Sequence, residues 1–231
     1  MNNEIIPAIM PEKFDDIRER VGLLHGHAKI VQLDLMDGKY VPESTWPFKY
    51  GNDYDLEDLK KEDHGFPFWE DINYELDIMA ERPEKNLDTW LNIGASRVIF
   101  HYASVFDWEK IKEIDHVTRN FTEIGLAITI HDSLEDVYGL IDGDYLDFIQ
   151  VMGIAHIGYQ GEPLEELSLD IIKKLHTKYP ELIISVDGGV SEDSIEEFQR
   201  AGAQRFVSGS AIFGGGDASE NLEYLEAILK N

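Results

Sequence analysis

The chain contains no cysteine, little positive charge and no long apolar run. The lack of cysteine excludes disulfides, thiolate nucleophiles and thiolate metal sites. Lys and Arg number 20 against 46 Asp and Glu, a net charge of −26 at pH 7. Nucleic acids and anionic membranes bind basic surfaces, so we expect neither as a partner. With no apolar run of membrane-spanning length and no signal peptide visible at the N-terminus, we expect a cytoplasmic protein.

The 231 residues are 43% hydrophobic, which is enough for a sizeable core. Strand-like stretches alternate with helical or part-helical ones, which implies a parallel sheet. Eight such units in this length favour a single (β/α)₈ TIM barrel over 1–231 rather than an open doubly wound sheet. The predicted strands are 4–9, 30–36, 74–79, 97–102, 126–131, 147–154, 183–187 and 205–210.

The second predicted strand carries the first functional pattern. Its period of two places Gln32, Asp34 and Met36 on one face. A carboxylate on a buried strand face is costly unless it is paired, hydrogen-bonded or bound to a metal. For this stretch alone, the alternative is that Asp34 caps a neighbouring element and that Asp37-Gly38 is only a turn.

The same pattern recurs at the ends of the other strands, where a barrel of this kind places its chemistry. These ends carry carboxylates, histidines and serines, which predicts a functional rim: Gln32, Asp34, Asp77, His101, His131, Asp132, His156, Asp187, Ser208 and Ser210. Asp187-Gly188-Gly189 and Ser208-Gly209-Ser210 also end successive strands, and such loops commonly bind phosphate through backbone N–H groups. The alternative for these glycines is a pair of tight turns.

Six motifs in chain order resemble the ribulose-phosphate 3-epimerases. They are Leu-Asp-Leu-Met-Asp-Gly-Lys-Tyr-Val-Pro at 33–42, Leu-Asp-Ile-Met at 76–79 followed by Pro83-Glu84, Phe100-His101, Val151-Met152, Val-Asp-Gly-Gly-Val at 186–190 and Gly-Ser-Ala-Ile-Phe at 209–213. The resemblance spans nearly the whole chain. It implies a barrel of the ribulose-phosphate-binding type. Because members of that family form oligomers, it also implies a homo-oligomer.

The resemblance also implies an activity and a site. The activity is inversion of C3 of a ketose phosphate, ribulose 5-phosphate to xylulose 5-phosphate or a related phosphosugar, through an enediolate. Asp34 and Asp187 would be the acid/base pair and metal ligands, with a divalent ion stabilising the developing oxyanion. A substrate wall would be formed by Met36, Met79, His101 and Met152, and the phosphate would be held by Gly158, Gly188, Gly189, Gly209 and Ser210.

Three departures from the family concern the metal and the substrate loop. The two histidine positions of its metal site hold Gln32 and Asp77, so the ligands would be Gln32, Asp34, Asp77 and Asp187. This all-oxygen set favours Mg²⁺ or Mn²⁺ over Zn²⁺. Without a cation, at least one carboxylate should be protonated, and His101 would supply positive charge or a hydrogen bond to the enediolate. The sixth loop, His-Ile-Gly-Tyr-Gln-Gly at 156–161, and Ala8 in place of a serine also depart.

Two other functions stay open from the sequence. A phosphosugar lyase or decarboxylase of a related barrel would place a lysine on the rim, where only Lys39 comes near. The lost histidines would also suit a non-catalytic phosphosugar-binding barrel. The aromatic-rich segment 43–73 is longer than the family's usual second unit. It is predicted to be a lid, a subunit contact or a segment packed under its own loop.

Overall fold

In a computed structural model, eight parallel strands close into a barrel, and neighbouring strands follow one another in sequence order. The structure describes residues 3–51, 54–159 and 161–230. The strands are β1 (Glu4–Ile9), β2 (Ile30–Met36), β3 (Asn73–Met79), β4 (Arg97–His101), β5 (Glu123–Ile128), β6 (Phe148–Met152), β7 (Ile183–Asp187) and β8 (Arg205–Ser208). The predicted (β/α)₈ barrel is therefore confirmed.

Ten α-helices lie between or after the strands within the described residues, with the last two following β8. They are α1 (Phe14–Gly22), α2 (Tyr54–Lys60), α3 (Leu87–Asn92), α4 (Trp108–Lys112), α5 (His116–Arg119), α6 (Leu134–Asp142), α7 (Glu166–Lys178), α8 (Ile195–Ala201), α9 (Ser210–Phe213) and α10 (Ala218–Leu229). Short 3₁₀ helices follow β3 and β4, at Pro83–Asn86 and Tyr102–Ser104. In this described part of the chain, none of the helices has the length and apolarity needed to cross a membrane.

The alternation along each strand divides the core into two parts. Leu33 and Leu35 belong to the large apolar cluster that includes helix residues such as Ile17 and Val21. Gln32 and Asp34 lie on the other face, which is the interior of the barrel. The buried aliphatic side chains contribute about 1.5–3 kcal/mol each, so the outer layer stabilises the barrel while its interior carries polar groups.

Ion pairs fill the amino-terminal end of the barrel. Arg97 lies 2.8 Å from Glu4 and 3.3 Å from Glu75, and Arg205 lies 2.8 Å from Glu123 and 3.1 Å from Glu4. Burial raises the pKa of Glu75 to about 7, against the opposing effect of both arginines. The open space for a ligand is thus left at the carboxyl ends of the strands.

The fifth strand begins earlier than the sequence predicts. It runs over Glu123–Ile128 instead of 126–131, because Glu123 pairs in register with Arg97 and enters the ion-pair network. His131 consequently lies beyond the strand in a turn, where Asp132 accepts hydrogen bonds from the N–H and the hydroxyl of Thr129 at 2.7 and 2.8 Å. His131 is exposed and takes no part in the site.

The aromatic segment 43–73, of which Asn52 and Asp53 lie outside the described residues, packs partly into the core. Trp46 contacts Phe14 with ring centroids 5.4 Å apart, and Phe66 stacks on Tyr74 at 4.5 Å. Other aromatic side chains of the segment are exposed, among them Tyr50, Tyr54 and Trp69. Its inner half is therefore a packing element.

Candidate active site

Parallel register brings three aspartates together at the carboxyl end of the barrel. Asp34 of β2 pairs with Asp77 of β3, and Asp187 of β7 pairs with Met152 of β6. One carboxylate oxygen from each aspartate lies within 4.8 Å of the other two. The three carboxylates that the sequence assigned to one rim therefore form one cluster.

Two buried glutamines donate hydrogen bonds into this cluster. Gln32 Nε2 donates to Asp34 Oδ1 at 2.8 Å and to Asp187 Oδ2 at 2.7 Å. Gln150 Nε2 donates to Asp77 Oδ2 at 3.2 Å and to Asp187 Oδ2 at 3.3 Å. Hydrogen bonds to ionised acceptors are the stronger ones, so the amides offset part of the repulsion between the carboxylates.

His101 contacts the cluster through Asp77. Its Nε2 lies 2.8 Å from Asp77 Oδ1, and its ring packs against Tyr40 with centroids 5.4 Å apart. His101 and Asp77 are 1% and 0% exposed. Both oxygens of Asp77 thus have protein partners.

A narrow cleft opens above Asp34 and Asp187. Met79 and Met152 line it beside the two aspartates. Its lining also includes all five of the residues that the resemblance assigned to phosphate: Gly158, Gly188, Gly189, Gly209 and Ser210. The structure therefore brings the acid/base candidates and the glycine loops to one cavity.

Four of the residues that the resemblance assigned to the site do not line this cleft: Gln32, Met36, Asp77 and His101. Met36 is buried in a small cluster with Val41 and Met79. Gln32 hydrogen-bonds to both lining aspartates, Asp77 lies within 4.8 Å of them, and His101 bonds to Asp77. His156 is three-quarters exposed, with Glu162 3.5 Å away.

The glycine-containing loops that follow β6 and β7 approach each other more closely than side chains would allow. A Cβ on Gly153 would lie 2.2 Å from the carbonyl oxygen of Gly188. Gly188 and Gly189 have φ values of +91° and +69°, a region that favours glycine. No Lys, Arg or His is among the described residues that line the cleft. An anion there would depend on backbone N–H groups.

Burial and mutual repulsion perturb the two lining carboxyls. Burial raises the pKa of Asp34 well above its usual range, and the charges of Asp187 and Asp77 raise it further. Burial, followed by repulsion from Asp77, raises the pKa of Asp187 to about 7. Close carboxyls of this kind share protons. Near neutral pH, the pair therefore offers one proton donor and one proton acceptor on the same cleft.

The cluster could hold a divalent metal ion. Oxygen ligands lie about 2.0–2.6 Å from Mg²⁺ or Ca²⁺, so three carboxylate oxygens within 4.8 Å of one another can share one ion. Gln32 Nε2 faces the aspartates and its Oε1 is buried without a hydrogen-bond partner, so turning the amide over would add a fourth oxygen to the cluster. The donor set present therefore fits a hard cation.

The sequence analysis missed two residues near the site. Gln150 lies two positions before Met152 on β6, the same spacing that identified Gln32 two positions before Asp34. Glu162 lines the cleft from the loop after β6. The first carried the same sequence pattern as Gln32, whereas nothing in the pattern around Glu162 marked it. Gln160 of this loop lies outside the described residues.

The segment 43–73 contributes to the site through Thr45. Its hydroxyl donates to the backbone carbonyl of Asp34 at 2.6 Å and accepts from the N–H of Met36 at 2.8 Å. No described residue of 43–73 lines the cleft, so the described part of this segment forms no lid over it. Its role is to fix the end of β2.

The rim lysine that a Schiff-base enzyme needs is missing from this cleft. Among its described lining residues there is no lysine, and Lys39 is exposed beyond the turn after β2. The site therefore favours proton transfer between carboxyls over amine chemistry.

Comparison with known proteins agrees with this geometry. The sequence model of the "Ribulose-phosphate 3 epimerase family" matches residues 4–213. Ribulose-phosphate 3-epimerase of Aquifex aeolicus is 24% identical over 230 residues, covering 97% of this chain and 96% of that protein. The cytoplasmic isoform of Oryza sativa subsp. japonica is 25% identical over 231 residues, covering 99% and 93%.

Solved structures share the fold at lower identity. KGPDC from Streptococcus mutans has a TM-score of 0.70 and 12% identity, covering 100% of this chain and 98% of that chain. A 3-hexulose-6-phosphate synthase has a TM-score of 0.65 and 20% identity, covering 99% of both. These likenesses show the barrel alone. Because the family match spans β1 to α9, the chain belongs to the ribulose-phosphate 3-epimerase family of isomerases.

Proposed function

We propose that this phosphosugar epimerase inverts C3 of ribulose 5-phosphate to give xylulose 5-phosphate, by proton transfer between Asp34, Asp187 and the substrate. The observation that carries the proposal is the placement of two carboxyls with raised pKa values on one cleft. Asp34 Oδ2 and Asp187 Oδ1 receive no hydrogen bond from the described residues. These two oxygens are the ones free to reach a substrate.

In the proposed reaction, the ionised Asp187 removes the proton from C3, next to the ketone. The electron pair passes to the carbonyl oxygen and forms an enediolate. The protonated Asp34 then delivers its proton to the opposite face of C3, and the inverted ketose results. After turnover Asp187 is protonated and Asp34 is ionised, which is the state required for the reverse direction.

The rest of the cleft suits such a substrate. The backbone N–H groups of the glycine loops support binding of the phosphate, and Met79 and Met152 give the reacting carbons an apolar, polarisable wall. We propose Asp34, Asp77, Asp187 and Gln32 as ligands for Mg²⁺ or Mn²⁺ in preference to Zn²⁺, because all their donors are oxygens. When bound, the ion would supply positive charge next to the developing oxyanion.

The test replaces each carboxyl by an isosteric amide. Asp34→Asn and Asp187→Asn should each lower the rate of ribulose 5-phosphate epimerisation by about 10²–10⁴-fold, the usual contribution of general acid or base catalysis. Asp170→Asn, on the exposed face of α7, is the matched control and should keep the wild-type rate. Circular dichroism checks that all three fold. Full activity in both site variants would refute the proposal.

Three further properties belong to the same proposal. We propose one domain over 1–231, a homo-oligomer and a cytoplasmic location. The relative from Oryza sativa, named a cytoplasmic isoform, supports the location. Sedimentation velocity on the purified chain measures the oligomeric state directly, and a monomer at micromolar concentration would contradict the homo-oligomer.

A further inference from the structure

The NH₂ groups of two carboxamides are directed at the aspartate cluster, and that of Gln150 also lies 3.9 Å from Met152 Sδ. Gln32 directs one hydrogen to Asp34 and one to Asp187, at 2.8 and 2.7 Å. Gln150 directs one to Asp77 and one to Asp187, at 3.2 and 3.3 Å. Both glutamines are 0% exposed. Each aspartate therefore accepts a hydrogen bond from a buried amide. Because these amides are shielded from solvent, water cannot take over their hydrogen bonds.

The orientation of the Gln32 amide follows from its surroundings. Exchanging its nitrogen and oxygen would place Oε1 against Asp34 Oδ1 and Asp187 Oδ2. At least one of these carboxyls is ionised and would repel Oε1 unless a cation lay between them. With nitrogen inward, Oε1 is buried without a partner. The amide therefore has two arrangements: nitrogen towards the aspartates without a cation, and oxygen towards them with one.

Gln150 is held in one orientation. Its Oε1 accepts a hydrogen bond from the hydroxyl of Ser185, its register partner on β7, at 3.4 Å. This contact keeps its nitrogen directed at Asp77 and Asp187. Gln150 thus braces the cluster whichever way the Gln32 amide lies.

We propose that Gln32 and Gln150 are positioning residues that hold Asp34 and Asp187 in their working geometry without a bound cation, and that Gln32 weakens the binding of one. A cation that binds between these carboxylates must first displace two charge-assisted hydrogen bonds from Gln32. The same bonds keep the aspartates assembled when the ion is removed. Proton transfer at C3 then survives removal of the metal, a consequence that rests on the proposed function.

The first experiment measures metal affinity and needs no turnover. Mn²⁺ is titrated into chelator-treated wild type, Gln32→His and Gln32→Glu, with Gln199→His on α8 as the matched control, by calorimetry. Gln32→His and Gln32→Glu should bind Mn²⁺ at least about tenfold more tightly than wild type, a difference of about 1.4 kcal/mol, whereas Gln199→His should match wild type. Equal affinity in wild type and in whichever Gln32 variants fold would overturn the proposal.

The second experiment measures by NMR the rate at which deuterium enters C3 as ribulose 5-phosphate turns over in D₂O, before and after chelation. The wild-type rate should stay within about tenfold of the Mn²⁺-loaded rate, whereas Gln32→His should lose more than that on chelation. A greater loss in wild type, restored by Mn²⁺, would overturn the proposal. If neither form exchanges, the proposed function fails, and the Mn²⁺ affinities alone decide the role of Gln32.

Discussion

Thr45 offers the most direct test of how the sequence holds Asp34 in place. β1 ends at Ile9, whose register partner on β2 is Leu33. Beyond that point no described strand pairs with β2 on the β1 side. The Thr45 N–H donates to the Met36 carbonyl at 2.9 Å, and the Thr45 hydroxyl bonds to the Asp34 carbonyl at 2.6 Å and the Met36 N–H at 2.8 Å. Replacing Thr45 with valine keeps its shape and removes both bonds of the hydroxyl.

The expected cost follows from the two backbone groups left without partners. Thr45 is 4% exposed, so water cannot replace its hydroxyl. Each buried group left unsatisfied costs about 1–3 kcal/mol. Thr45→Val should therefore lower the free energy of unfolding by about 2–6 kcal/mol. For a chain of this size, that corresponds to a fall in Tm of at least about 4 °C.

Urea unfolding followed by circular dichroism measures this difference. Thr45→Ser is the matched control, because it keeps the hydroxyl and loses only a methyl group. It should lie within about 1.5 kcal/mol of wild type, as expected for the loss of one buried methyl group. If Thr45→Val is as stable as Thr45→Ser, the hydroxyl does not complete the end of β2, and our account of the segment 43–73 is wrong.

The remaining predictions concern the pH dependence and the glycine loops. Asp187 must be ionised to act as the base, and its pKa is about 7. We therefore expect kcat/KM to rise with pH through about 7 when initial rates are measured from pH 5 to 9. A flat profile would contradict the assignment of Asp187 as the base. Glu75, with its pKa raised from 4.5 to about 7, contributes stability that is complete below pH 4.5 and lost as the pH rises through 7. Wild type should therefore lose about 3 kcal/mol more than Glu75→Gln between pH 4.5 and 8, measured by urea unfolding, and parallel losses would exclude Glu75 as the cause. In Gly153→Ala, the new Cβ would lie 2.2 Å from the Gly188 carbonyl oxygen and should separate the loops that follow β6 and β7. We expect KM for the phosphosugar to rise about tenfold or more, with a smaller change in kcat. An unchanged KM would mean that these loops do not bind the phosphate.

Much of the barrel and its cluster is predictable because parallel strands have strict alternation. Gln32 and Asp34 on β2, and Asp77 on β3, share one face by period two, and the register then brings them together. The same rule, applied to Gln150 and Met152 on β6, would have identified the second amide of the cluster. The family motifs directed attention to Met152 and away from its neighbour two positions earlier.

Features that depend on contacts between distant segments could not be predicted. The start of β5 is set by the ion pairs of Glu123, which no local pattern shows. Met36 alternates correctly, yet its side chain is covered by Val41 from the following turn and does not reach the cleft. No sequence pattern marks Thr45, because its hydroxyl bonds to β2 only beyond the point where the neighbouring strand β1 ends.

The central claim is that two different carboxyls act on the two faces of C3. The most direct measurement is a short incubation of wild type with ribulose 5-phosphate in D₂O, followed by NMR of substrate and product. Asp34 lines the cleft, so in our account its proton exchanges with solvent before substrate binds. Our account therefore predicts xylulose 5-phosphate with deuterium at C3, while unreacted ribulose 5-phosphate still carries hydrogen. Product that retains the substrate's own hydrogen at C3 would mean that one group serves both faces, and would contradict the account.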